Sequence, residues 1–385
     1  MSIQIKEVTT KQELKAFVTF PHKLYKDCKY FVPPLIKNEM LTLDKEKNPS
    51  FKVCDSKLWL AYKDGEIAGR IAGIIHKPFV EKWGNRYARF GWLDFINDEE
   101  VFDTLMQTVE NWAGDNGMEA LQGPLGFTDF DPEGILIEGF NELSTIVERY
   151  NFPYYSNYFE NNGYAKDADW VEYEITAPAN VPVKIAKISD FVLRKFNFRI
   201  AKIKSVRDIQ PYINDIFKII NDLYGLLYGF TPVSEEQIEF YIKQYMRYIN
   251  PEYVSIVLDR NDKVAAFCIT MPSFSKALQK SKGKLFPFGF YNIRKAVKKN
   301  DTLDMYFIGI RPDHQNMGVM AVLFNDIIQK AITNGFKKAE TNMEYESNDR
   351  MQSLWKYFEH RQHKRRRSYF KYLVTKSRSE DAEMI

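Results

Sequence analysis

Cysteine is scarce: the 385 residues hold three, Cys28, Cys54 and Cys268, widely spaced and without a Cys-x-x-Cys pair. That spacing argues against a disulfide framework and against a structural zinc site. Five scattered His residues add no metal-ligand spacing, since His360 and His363 lie inside a basic run, so no metal is expected. Long apolar runs are missing as well: no stretch of about 18 such residues occurs, and no transmembrane segment is expected. The opening Met-Ser-Ile-Gln-Ile-Lys-Glu has no apolar signal core. A net charge of only +3 gives no global attraction for nucleic acid, and no nucleic-acid partner is expected. Any electrostatic partner has to be met locally. These absences together describe a reduced, soluble, cytoplasmic protein.

Apolar and aromatic residues are plentiful. They make up 45% and 15% of the chain, with 29 Phe and 23 Tyr, enough to fill two cores and still line a greasy cleft. The length suits two domains of about 180 residues each. Residues 1–180 read as the first domain and 181–385 as the second, with Pro178 and Pro182 marking the linker.

Both halves repeat one order: strand, helix or helices, hairpin, strand, helix, strand, helix, strand. In the first half the pattern predicts a strand near Ile3–Val8, a helix over Lys11–Tyr25 and a hairpin turning at Asp64-Gly65. A strand over Arg89–Ile96 follows, then a helix over Glu99–Asn116, a strand at Met118–Gln122, a helix at Tyr154–Asn161 and a strand at Trp170–Ile175. The second half reads as a strand at Ile200–Lys204 and helices at Val206–Leu227 and Ser234–Tyr248. A hairpin of Val254–Leu258 and Val264–Thr270 comes next, then a strand at Leu303–Ile310 and a helix at Gly318–Asn334. Lys338–Asn342, Arg350–Phe358 and Ser368–Val374 close it as strand, helix and strand. Residues 273–300 form an insertion rich in Lys, Phe and Gly.

The informative segment is Ile308-Gly-Ile-Arg-Pro-Asp-His-Gln-Asn-Met-Gly-Val-Met-Ala-Val-Leu. A strand ends, a turn holds Gln315 and Gly318, and a helix starts at once. That layout aims unpaired backbone N–H groups and a helix dipole outward, which suits a pyrophosphate. A side chain at Gly318 would hold the ligand's oxygens off the backbone. With one Gly and no Lys in the needed place, the turn is neither a P-loop nor a dinucleotide fingerprint.

At these residues the chain resembles the GNAT superfamily of CoA-dependent N-acyltransferases, whose members carry Gln/Arg-x-x-Gly-x-Gly/Ala after the fourth strand, usually behind Pro-Glu or Pro-Asp. Here Pro312-Asp313 precedes Gln315-x-x-Gly318-x-Met320, with Val319 and Leu323 at the usual apolar positions. Met320 stands where the family prefers a small residue. A second signature, an Asn followed seven residues later by a Tyr, is matched by Asn348 and, in place of the Tyr, Trp355. The resemblance implies a mixed α/β (α+β) fold of two tandem GNAT-like domains, each a mostly antiparallel central sheet flanked by helices. It also implies acetyl-CoA or a longer acyl-CoA as co-substrate. Ile308, Gly309 and Ile310 would line the pantetheine strand, Gln315, Asn316, Met317, Gly318, Val319 and Met320 would cradle the diphosphate, and Asn348 and Trp355 would flank the thioester.

In the reaction such a resemblance implies, an amine attacks the thioester carbonyl directly. It needs orientation, a backbone N–H on the carbonyl, and a base for the ammonium proton. Asp304, Glu344 and Glu346 are the acidic candidates, each also readable as an ordinary surface carboxylate. Trp does not deliver a proton usefully, so the acid for the departing thiolate falls to Tyr357, Tyr345 or water.

The first half lacks this equipment. Its corresponding junction, Phe95-Ile-Asn-Asp-Glu-Glu-Val, has no Gly and three acids, which would cap a helix and repel a diphosphate. It reads as a degenerate copy that keeps the fold and shapes the acceptor side. A turn-rich loop from Gly123 to Phe140 carries Asp129, Asp131 and Glu133, either to hold an acceptor amine or to form Asx turns. Two basic stretches remain. Lys276–Lys299 mixes eight Lys or Arg with Phe286, Phe288, Phe290 and Tyr291, and Arg361–Arg367 is Arg-Gln-His-Lys-Arg-Arg-Arg. Each is a solvated face or a contact for the CoA 3′-phosphate, an acyl-carrier protein or anionic lipid headgroups. The expected function is N-acyl transfer to a small-molecule or peptide amine. The alternatives are an acyl-CoA-binding pseudo-enzyme and an acyltransferase fed by acyl-carrier protein.

Overall fold

A computed structural model describes residues 3–225, 227 and 229–373. The first elements are β1 (Gln4–Glu7), α1 (Lys11–Leu24), α2 (Ile36–Thr42), β2 (Cys54–Lys63), β3 (Glu66–His76), α3 (Lys77–Trp83) and β4 (Tyr87–Phe95). They are followed by α4 (Glu99–Asp115), β5 (Ala120–Gly123), β6 (Ile135–Glu138), α5 (Tyr154–Asn161) and β7 (Ala165–Thr176). Next come α6 (Val183–Phe196), β8 (Arg199–Ile200), α7 (Ile213–Tyr224), α8 (Glu235–Tyr245), β9 (Val254–Leu258) and β10 (Val264–Pro272). The last are α9 (Ser275–Ser281), α10 (Gly289–Lys298), β11 (Thr302–Ile310), α11 (Val319–Thr333), β12 (Lys338–Thr341), β13 (Glu344–Tyr345), α12 (Asp349–Trp355) and β14 (His360–Tyr372). No described helix is long and apolar enough to cross a membrane.

Two compact units result. The first comprises Met1–Trp170, Leu278–Gly289 and Lys364–Ile385; the second comprises Val171–Ala277 and Phe290–His363.

In the first unit β1 to β5 lie side by side in chain order, and the latter part of β14 pairs antiparallel with β5, Tyr369 opposite Gly123 and Tyr372 opposite Ala120. Thr10 and Glu13 form a reciprocal capping box that starts α1, which buries Phe17, Val18 and Phe20. Helix α4 presents Val101, Phe102, Leu105, Met106 and Val109 to the sheet at helical spacing. Aromatic residues fill the remaining volume: Phe159 stacks on Tyr369 at 4.6 Å and on Phe90 at 5.4 Å between ring centroids. Elsewhere in the unit, the buried Tyr25 hydroxyl donates to Asp94, which also accepts from Arg70.

In the second unit β8 to β12 lie side by side, and the latter part of β7 pairs antiparallel with β12. Helix α11 packs Val319, Val322, Leu323 and Ile327 against Val257, Ala265, Ala266 and Cys268 of the sheet. Each unit has the same central device. The strand before the long helix and the strand after it run parallel, β4 with β5 in one and β11 with β12 in the other. Helices on the sheet faces supply the crossovers that parallel pairing requires.

Three expectations need correction. The helix predicted at Val206–Leu227 is two 3-10 turns, Val206–Asp208 and Gln210–Tyr212, and then α7, because Pro211 denies the backbone a helical donor. The linker read at 177–183 already holds the first residue of α6, a helix that reading passed over. The closing strand is β14, which begins eight residues earlier than predicted and absorbs the whole Arg361–Arg367 run; Val374, the predicted end, lies outside the described residues.

Candidate functional site

Strand β11 and helix α11 set the site. Arg311, just past the strand, is held by Asp259 at 2.7 Å, by the Val264 carbonyl at 3.0 Å and by Asp313 at 2.8 Å. This pins a short 3-10 turn, Pro312–His314. Asn316 and Gly318 then take positive φ values of 68° and 78°, and Gly318 is the N-cap of α11. A Cβ on Gly318 would lie 3.1 Å from Val192 and 3.3 Å from Ile188, both on α6, in a conformation L side chains rarely adopt. Glycine is therefore required here on two counts. No side chain caps α11; the Ala321 amide donates to the Gly318 carbonyl at 3.0 Å, and the Val319 and Met320 amides ahead of it head the helix dipole. Val319 is buried, and Met320 packs against the core clusters beneath the sheet.

The groove beside this turn comes from strand divergence. Strand β11 pairs with β12 only over Thr302–Met305, and the last bond between them runs from the Asn342 amide to the Met305 carbonyl at 3.1 Å. Beyond it, Phe307 to Ile310 pair with β10 on the other side. Gly309 lets α7 approach: a Cβ there would be 2.7 Å from Phe267 and 3.1 Å from Ile219. The Ile308 carbonyl accepts a long bond from the Tyr224 hydroxyl at 3.5 Å.

Arg350 reaches the turn from α12. Its guanidinium donates to Gln315 Oε1 at 2.8 Å and to Asn316 Oδ1 at 3.0 Å. An exposed cation thus stands beside uncapped amides, the arrangement an oxyanion-rich ligand favours. Asn348 is the N-cap of α12, its Oδ1 accepting from the Met351 amide at 3.2 Å.

Glu344, on β13, is buried against Trp355, whose indole Nε1 donates to both carboxylate oxygens at 3.0 and 3.2 Å. Burial pushes the carboxyl up to about 7, and the indole bond opposes that rise. A carboxyl poised there exchanges a proton near neutral pH. Trp355 also lines a partly open cavity walled by Leu303, Met305, Phe324, Ile328 and Phe358 among others. Its lining is apolar except for Thr176 and Lys338.

The other predicted residues lie elsewhere. Asp304 is buried farther back on β11, opposite Glu340, and its Oδ2 accepts from the Tyr306 hydroxyl at 3.4 Å. Glu346 is exposed. Tyr357 is also exposed, with the Lys184 ammonium 5.1 Å over its ring. The structure thus gathers Gln315, Asn316 and Gly318 with Arg350, and separately Glu344 with Trp355. Sequence reasoning missed Arg350, although its place two residues after Asn348 was visible. It also missed the service Trp355 does for Glu344.

The equivalent place in the first unit is occupied by the protein itself. Asp98 caps α4 by accepting from the Val101 amide at 3.2 Å, Lys63 pairs with Asp98, and Glu99 and Glu100 fill the first turn. Its Gly123–Phe140 loop is tied internally, Asp131 accepting from the Phe127 and Thr128 amides at 2.9 and 3.2 Å. Burial holds Asp131 up at about 7 and Asp129 at about 6. The Arg361–Arg367 run also finds partners within the protein. Arg365 and Arg367 bond to Asp169, Arg361 to Glu174, and wholly buried Arg366 faces Glu148 at 3.4 Å.

Residues 215–359 match the acetyltransferase (GNAT) family. The whole fold agrees: a tandem GNAT protein from the clavulanic acid biosynthesis pathway superposes with a TM-score of 0.57 at 9% identity, over 97% of this chain and 99% of that one. Residues 215–359 are thus similar to the GNAT family, and the chain has the fold of tandem GNAT proteins. A probable N-acyltransferase from Enterococcus faecalis V583 superposes at 0.52 with 9% identity, over 98% of this chain and 74% of that one. Among curated proteins, Protein YghO of Escherichia coli (strain K12) is 28% identical, covering 81% of this chain and 79% of its own. The bacterial ceramide synthase of Caulobacter vibrioides (strain NA1000 / CB15N) is 25% identical, over 80% of each chain. The open turn around Gly318 lies within the matched residues 215–359.

Proposed function

We propose that the C-terminal GNAT domain, residues 181–385, is an N-acyltransferase that takes a long acyl group from CoA and places it on the amine of a lipid-like acceptor. The observation that carries this is the uncapped, Gly318-started N-terminus of α11, with Arg350 alongside and the diverged β11 and β12 next to it. The turn and Arg350 hold the diphosphate, and the backbone of Ile308–Ile310, beyond the stretch of β11 that pairs with β12, aligns the pantetheine and polarises the thioester carbonyl. The amine lone pair forms the C–N bond, the C–S bond breaks, and the ammonium proton passes to Glu344. The thiolate takes up a proton from water, giving amide and free CoA. The apolar cavity beside Trp355 supports an acyl chain longer than acetyl. The ceramide synthase relative supports an amino-alcohol acceptor with a hydrocarbon tail, since a ceramide is the amide of such a base.

Calorimetric titration of acetyl-CoA and palmitoyl-CoA into the full chain, followed by thiol release with sphinganine and with short amines, tests the reading. Tight binding of palmitoyl-CoA with sphinganine-dependent thiol release is expected. Binding without release for every amine would leave an acyl-CoA-binding pseudo-enzyme, and no binding of either thioester would remove the reading altogether.

A further inference from the structure

The insertion between β10 and β11 is exposed in a way that a soluble loop does not explain. Phe286, Phe288, Phe290 and Tyr291 are 80%, 74%, 60% and 68% exposed. These four large rings occupy six consecutive positions, whereas the other exposed large apolar side chains among the described residues are scattered along the chain. A run of exposed rings this dense along the chain marks an interaction segment.

The rings are presented on a fixed base. Gln279 Nε2 donates to the Lys29 and Phe31 carbonyls at 2.8 and 2.9 Å, and the Ile36 amide donates to the Gly283 carbonyl at 3.2 Å. Helix α10 then buries Ile293 and turns Phe290, Tyr291, Arg294, Lys295 and Lys298 outward. The segment Lys276–Lys299 holds eight basic residues and no acid, in a chain whose total charge is +3, so the rest of the protein is net negative. All eight are exposed.

Rings and cations of this pattern fit one partner best. A protein interface takes its cations chiefly as Arg and is depleted in Lys, yet seven of the eight here are Lys. A nucleic acid would use the charge and leave most of the aromatic surface in water. An anionic bilayer uses both at once: rings settle at the headgroup boundary while Lys stems reach back to the phosphates.

We propose that residues 284–299 dock the protein on anionic lipid bilayers, with Phe286, Phe288, Phe290 and Tyr291 entering the interface and the flanking Lys and Arg meeting the headgroups. This goes beyond the proposed activity and holds whether or not the C-terminal domain transfers acyl groups.

The test is sedimentation of the full chain with vesicles of phosphatidylcholine alone and of phosphatidylcholine mixed with phosphatidylglycerol, without any substrate. Binding is expected to the mixed vesicles and to fall as salt rises. Combined Phe286→Ser, Phe288→Ser, Phe290→Ser and Tyr291→Ser substitutions should lower the partition coefficient by at least about tenfold, with an unchanged melting temperature. A separate Phe288→Trp variant should blue-shift its added emission on the mixed vesicles. If the wild-type chain stays in the supernatant, if the Ser variant sediments as well as the wild type, or if the Trp emission does not move, the proposal is wrong. Thiol release with a short soluble amine, assayed without vesicles, should not change in the Ser variant. No thiol release by the wild-type chain, with its vesicle binding intact, would remove the activity and leave the docking surface standing.

Discussion

Trp355 donates its single indole proton to both oxygens of Glu344, at 3.0 and 3.2 Å, in a pocket that water scarcely reaches. The carboxyl there sits at about 7, raised from 4.5 by burial. In the native state Glu344 keeps its proton between those values, while in the unfolded chain it has lost it. Its contribution to stability is therefore best below about 4.5 and declines as the pH rises through 7. The decline amounts to roughly 3 kcal/mol at about 1.4 kcal/mol per pKa unit.

Glu344→Gln should split function from stability. Removing a general base costs on the order of 10²–10⁴ in rate, and kcat/KM should lose its rising limb near pH 7. The same variant should be more stable than the wild type at pH 8 and similar at pH 4.5, because Gln carries no charge to bury. Parallel pH–rate and thermal-melt profiles check both halves. An unaltered pH–rate profile would take Glu344 out of the proton path.

How much of this was legible depended on where the partners lie in the chain. Strand β9 matches its predicted span, Val254–Leu258, and β11 and α11 match within a residue at each end. In these segments apolar period, Gly and Asn all act locally. Helix α6 hid behind Pro178 and Pro182, read as a linker. Pro182 is in fact its N-cap and Asn197 its left-handed C-cap, so a boundary signal was present and misassigned. The basic run Arg361–Arg367 could not be read at all. Nothing in seven polar residues announces a strand whose counter-charges, Glu148, Asp169 and Glu174, lie some two hundred positions earlier. The CoA-type turn was legible because its function resides in the backbone around one glycine. The Glu344–Trp355 pair was not, because it exists only after folding.

Gly318→Ala is a probe of that turn. At φ of 78° an L side chain costs about 1–2 kcal/mol, and the added methyl also presses on Val192 and Ile188. The melting temperature should fall modestly, and the Kd for acyl-CoA should rise by about tenfold or more as the first-turn amides tilt away. A Kd equal to that of the wild type would mean the diphosphate lies somewhere else.

Arg350→Ala should act on affinity alone. The side chain is exposed and supports only Gln315 and Asn316, so folding should be unaffected. The Kd for acyl-CoA should rise about tenfold at low ionic strength, and the gap should narrow as salt screens the contact. Titrations at two salt concentrations check this, and kcat at saturating thioester should hold.

Ile328→Trp tests the acyl cavity. Ile328 is half-buried in its wall, and an indole there takes up volume an alkyl chain would need. Turnover of palmitoyl-CoA should drop relative to acetyl-CoA by at least about tenfold, in line with pocket discrimination of several methylenes. Equal losses on both thioesters would indicate general damage and not a chain-length limit.

Arg366 separates a structural charge from a recognition charge. It is wholly buried, its guanidinium 3.4 Å from a carboxylate oxygen of buried Glu148 and its NH1 donating to the Arg149 carbonyl at 2.6 Å. Truncation to Ala takes the buried cation away from a buried carboxylate, which costs about 3–5 kcal/mol, enough to unfold a marginal domain. Arg361, half exposed on the same strand and paired with Glu174, should cost less than about 1 kcal/mol as Arg361→Ala. Denaturant melts of the two variants should therefore differ widely, although both remove one positive charge from the same seven-residue run. Equal, small losses would return that run to the surface and make it available to an acidic partner.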